Sequence, residues 1–63
     1  MLWLSEMLLQ HHELESFEQL TELLRDRARA GEMFFSMDVK PPFHDSPEDW
    51  ETRLEAIFTS AGN

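Results

Sequence analysis

Three kinds of side chain in this 63-residue chain could do chemistry: imidazoles, carboxylates and serine hydroxyls. His11 and Glu15 stand four residues apart, a spacing that puts two metal-ligating groups on one helical face, and His44 adjoins Asp45 in a segment that reads as loop. Zinc would need three or four converging ligands at about 2 Å. The chain has neither the HExxH order nor a cysteine, and a break expected between His11 and Glu15 separates that pair. His11, His12 and His44 therefore read as surface side chains, and no metal or cofactor is expected. Carboxylate pairs do acid–base work when their environments diverge inside a cleft, and a chain this short has little room to wall one. Ser5, Ser16, Ser36, Ser46 and Ser60 sit in no GxSxG or comparable activating context, and there is no Gly-rich phosphate loop. The expectation is a protein that is not an enzyme.

Carboxylates in rows are more informative. Glu48, Glu51 and Glu55 fall at i, i+3 and i+7 of an expected helix, opposite Trp50 and Leu54. Neighbours on such a face are about 5–6 Å apart, comparable with phosphates along a nucleic-acid strand, which advances about 3.4 Å per nucleotide along its axis. Glu15, Glu18, Glu22 and Asp26 form a second row, interrupted by Arg25 and Arg29. Like charges at i, i+4, as in Glu18–Glu22 and Glu51–Glu55, cost helix stability. Arg25 and Arg29 are expected to relieve the second row by pairing with Glu22 and Asp26. The first row has only Arg53, on a different side of its helix.

Thirteen acids against five bases give a net charge of −8. The imbalance disfavours direct nucleic-acid binding, which needs clustered Lys and Arg, and disfavours anionic membranes. A basic protein surface would be attracted. Apolar residues at 41% and seven aromatics are too many for a disordered tail. The longest apolar run, Met1–Leu4, is too short to span a bilayer, and no basic residue precedes an apolar region, so a signal peptide is not expected. A cysteine-free chain suits the cytosol.

The elements that must position these residues form one small domain, 1–63, of the α+β class and mostly helical: helix–helix–strand–helix. Leu4, Met7 and Leu8 predict a helix from Leu2 to about His12. Phe17, Leu20, Leu24 and Ala28 predict a second over 17–30, with Ser16 and Gln19 as a capping box and Gly31 at the left-handed C′ position. The two stripes are offset by roughly a third of a turn, so the chain must break within HHELES. Met33, Phe35, Met37 and Val39 alternate with polar partners and predict a strand over 32–40, ended by Pro41-Pro42, with Phe34 an aromatic on the polar face. Ser46 as cap, Pro47 at N1 and Asp49 at N3 predict the start of the last helix, which runs to about Ser60 with Gly62 ending it.

A lone strand leaves backbone groups without partners. It is expected to pair with a second copy across a two-fold axis, which also enlarges a small core, or with the N-terminus. Phe34, Phe35 and Met37 would then lie at a strand interface. In size and charge alone the chain resembles short acidic inhibitors, including phage-encoded anti-CRISPR and DNA-mimic proteins. It is similar in the same loose sense to antitoxins and immunity proteins. The −8 charge and the uncompensated stripe lead to the expectation of a binding protein that occludes a basic, nucleic-acid-binding surface of its target, with Glu48, Glu51, Glu55, Glu18 and Glu22 making the contact. The alternative is a small assembly subunit or antitoxin-type protein that holds its partner through an apolar strand or helix surface.

Overall fold

The structure, a computed structural model, describes residues 1–61. In order, the chain forms β1 (Leu2–Trp3), α1 (Leu4–Gln10), α2 (Phe17–Arg29), β2 (Phe35–Ser36) and α3 (Trp50–Ala61). About half of it is helical, an α+β domain in which a short strand precedes the expected helix–helix–strand–helix order. Among the described residues no helix is long and apolar enough to cross a membrane.

α2 follows its sequence signals most closely. Ser16 is the N-cap and its hydroxyl accepts from the Gln19 amide at 3.2 Å. Gln19 Oε1 accepts from the Glu15 amide at 2.7 Å, so the returning bond of the capping box reaches one residue further back than Ser16. At the other end the Gly31 amide donates to the Ala28 carbonyl and the Glu32 amide to the Arg27 carbonyl, at 3.2 and 3.3 Å. This is the paired closure of a Schellman motif. Gly31 has φ +110°, a conformation that L side chains rarely adopt.

The N-terminus departs from expectation. Leu2 and Trp3 are strand rather than the start of α1, and they pair in parallel with β2, Leu2 opposite Phe35 and Trp3 opposite Ser36. The strand partner is thus the N-terminus of the same chain. The predicted strand over 32–40 shrinks to Phe35–Ser36, because a two-residue β1 can satisfy no more of it. Met33 and Val39, assigned to the buried face of that strand, are exposed.

The last helix also starts later than predicted. The Trp50 amide closes an i→i+3 turn on the Pro47 carbonyl at 3.2 Å, and the first helical bond runs from the Arg53 amide to the Asp49 carbonyl at 3.0 Å. Asp49 therefore occupies the N-cap position, and Glu48 lies in the turn before the helix. Ser46 does not cap: its hydroxyl is buried with no hydrogen-bond partner among the described residues. The expected stop at Gly62 lies outside the described residues.

Leu2, Leu4, Met7, Phe17, Leu20, Leu24 and Leu54 form the buried core. Trp50, Ile57 and Phe58 of α3 and Phe35 of β2 pack against it half-buried. Phe35 stacks on Phe58, ring centroids 5.4 Å apart. The radius of gyration is 10.6 Å, matching the roughly 10.6 Å that scaling gives for a compact domain of this length. A single copy is already as compact as an ordinary domain.

Candidate functional site: the charged faces of α2 and α3

Several acids turn out to have structural work. The two oxygens of Asp38 accept from the Ser5 amide at 3.0 Å and the Ser5 hydroxyl at 2.6 Å. This caps α1, whose N-cap residue Trp3 has no side-chain acceptor to offer. These two bonds hold the Asp38 carboxyl below its ordinary value of 3.8. Asp45 accepts from the Phe17 amide with both oxygens, at 2.8 and 3.1 Å, and so caps α2. The connection from β2 to α3 is therefore pinned at two points, each an aspartate set at the positive end of a different helix. Asp49 takes the Arg53 guanidinium at 2.9 Å. Glu13, bonded to its own backbone amide and to His11, is held below its ordinary 4.5.

The histidines are similarly engaged. His11 Nε2 stands 3.5 Å from Arg27 Nη2, and its Nδ1 lies 3.1 Å from Glu13 Oε1. His11 thus turns to Glu13 and Arg27, and α1 has ended before it. His12 stands 3.7 Å from the same carboxylate. Among the described residues, no three His, Asp or Glu side chains converge as metal ligands would.

Glu18, Glu22, Glu48, Glu51 and Glu55 are all exposed. They do not form one surface. Glu51 and Glu55 project from one flank of α3, with Glu48 just ahead of it in the turn. Arg53, Ala56 and Ser60 of α3 lie roughly 100–180° around the helix from Glu51 and Glu55. That opposite flank faces α2 across a groove lined by Phe17, Glu18, Thr21, Arg25 and Arg29. Glu18 therefore stands beyond an arginine-bearing groove from the α3 acids, and Glu22 is on the same helix as Glu18. Among the described residues no Lys or Arg nitrogen comes within 4 Å of Glu48, Glu51 or Glu55. The expected pairing of Arg25 and Arg29 with Glu22 and Asp26 is not made either.

Of the expected strand-interface residues, Phe35 and Met37 turn inward against the core, and Phe34 is 63% exposed. The alternation of a strand puts Trp3 on the same outer face as Phe34. Their chain neighbours Met1 and Met33 are also exposed, 69% and 79%. The odd aromatic at Phe34 signalled this patch in the sequence. Pairing of the strand with the N-terminus, one of the two partners expected for it, is what brings Trp3 to this face. No family model, curated protein or solved structure matches this chain.

Proposed function

We propose that the chain is a non-enzymatic, cytoplasmic binding protein whose α3 acids engage a basic surface of a target protein, one that otherwise binds nucleic acid. The observation that carries this reading is the uncompensated flank at Glu51 and Glu55, extended by Glu48. These three are exposed and have no basic partner within 4 Å among the described residues, whereas Asp38, Asp45, Asp49 and Glu13 are each bonded within the fold. Neighbouring carboxylates about 5–6 Å apart accept mutual repulsion that a basic surface would turn into attraction. Phe58 beside them is seated on Phe35, which gives the flank a packed base. Glu18 and Glu22, across the arginine-lined groove, would add to the long-range field and not to the same contact.

The test is competition. A captured target should bind nucleic acid less well when this chain is present, and the effect should fade as salt rises. A target whose nucleic-acid binding is untouched at low salt would end the proposal.

The second reading is an assembly contact with a second copy, and the exposed outer face that Trp3 and Phe34 share favours it. A two-stranded sheet with open edges beside such a patch suits strand addition. Sedimentation should then show a concentration-dependent dimer that Phe34→Ser abolishes and that salt leaves nearly unchanged. A monomer at all concentrations would remove this reading.

A further inference from the structure

The groove between α2 and α3 reverses the sign of the molecule. Glu18, Thr21, Arg25 and Arg29 fall at i, i+3, i+7 and i+11 of α2, one continuous ridge. Facing it are Arg53, Ala56, Ile57 and Ser60 of α3. Two concavities of about 540 and 350 Å³ share Ala56 and Ile57 as floor, within the roughly 300–1,000 Å³ usual for small-molecule sites. Three of the five basic residues of a −8 chain line this single feature.

The two ends differ. At the larger, Arg53 is already held by Asp49, and Glu18 and Asp45 contribute negative charge. The smaller end is lined by Arg25, Arg29, Ser60, Ala56, Ile57 and Ala61, with no carboxylate side chain among them. Neither Arg25 nor Arg29 has a carboxylate within 4 Å among the described residues. Arg25 and Arg29 are one helical turn apart in α2, and each guanidinium is a planar fork of donors of the kind that matches the oxygens of a carboxylate or phosphate.

We propose that this end binds a small organic oxyanion, a carboxylate or phosphate carried on a short apolar body. Arg25 and Arg29 grip the oxyanion, the Ser60 hydroxyl donates a further bond, and Ala56 and Ile57 receive the apolar part. A polyanion laid along the whole groove would meet Glu18 and Asp45, so the charge pattern favours a compact ligand over a nucleic acid or an acidic chain. The −8 field works against any anion, so the affinity is modest and depends on the apolar contact as well as the arginines. The site lies on the flank of α3 away from Glu51 and Glu55 and stands independently of the proposed target contact.

The experiment is a two-dimensional proton–nitrogen NMR titration of the full chain with benzoate and with phenyl phosphate at constant ionic strength. Benzyl alcohol and sodium chloride are the neutral and simple-anion controls. Saturable shifts are expected at the Arg25 and Arg29 Nε–H groups and at the Ala56, Ile57 and Ser60 amides. The tighter of the two probes identifies the oxyanion. Arg25→Gln with Arg29→Gln should weaken binding at least tenfold. Arg25→Lys with Arg29→Lys, which keeps the charge and the aliphatic cover of α2, should weaken it several-fold. Shifts that never saturate, that chloride reproduces, or that survive unchanged in a folded Gln variant would overturn the site.

Discussion

Leu54→Ala probes the joint on which the acidic flank depends. Leu54 is the one buried residue of α3 and is fully enclosed, a member of the core cluster that includes Leu20 and Leu24 of α2, the helix α3 packs against. Truncating a fully buried leucine removes three carbons from close packing and leaves a cavity, at a cost of about 2–5 kcal/mol. At roughly 0.05–0.15 kcal/mol per residue, a chain of this length has about 3–9 kcal/mol to lose. The substitution should therefore remove about 3 kcal/mol and leave a large unfolded fraction near body temperature. Leu9→Ala is the matched control, identical chemistry at a site 80% exposed on α1, and should stay within about 0.5 kcal/mol of the parent. Urea unfolding followed by circular dichroism at 222 nm gives both values. A cost below about 1 kcal/mol for Leu54→Ala, or equal costs for the two leucines, would mean that α3 does not dock on the core through Leu54, and the placement of Glu51 and Glu55 would go with it.

Two further predictions follow from the aspartates of the connection. Asp45→Ala leaves the first amide of α2 without its acceptor and should cost about 1–2 kcal/mol, with Asp45→Asn recovering part of it; an unchanged urea midpoint would contradict the cap. The Asp38 carboxyl is held below 3.8 by Ser5 and Glu13 below 4.5 by its own amide and His11. Their folded forms bind fewer protons than their unfolded forms over that window, so the stability they contribute is complete above these ordinary values and is lost as pH falls through the lower folded ones. Thermal unfolding from pH 5 to pH 2 should show that loss, and Asp38→Asn should flatten part of it; identical profiles would contradict the role of Asp38.

Local signals were legible where they acted locally. Ser16, Gln19 and Gly31 bracket α2 because caps and left-handed glycines act within a few residues of where they stand. What stayed hidden acts across the chain. Asp38 and Asp45 have no local sequence context that marks a cap, yet they cap helices 33 and 28 residues away in sequence. With Asp45 turned to Phe17 and Asp49 turned to Arg53, the helix predicted from Ser46 begins at Trp50. Helical spacing at Leu4, Met7 and Leu8 predicts a helix from Leu2, while the need of a lone strand for a partner already offers the N-terminus as one of two solutions; pairing with Phe35 is what makes strand of Leu2 and Trp3. For the charged faces, the sequence placed Glu51 and Glu55 on one flank of α3. It did not show that Arg25, Arg29 and Arg53 gather in the groove separating that flank from Glu18, because that depends on how α2 and α3 pack.

The most direct test of the central claim is capture from a lysate of the source organism, or of its host if it is viral, on two baits at low and high salt. The baits are the parent chain and the Glu48→Lys, Glu51→Lys, Glu55→Lys variant, both verified as folded. Basic, nucleic-acid-binding proteins should be held by the parent at low salt, released at high salt and released by added nucleic acid, and the variant should not hold them. The same partner on both baits, retained at high salt, would contradict the claim and would locate the contact on the apolar face around Trp3 and Phe34.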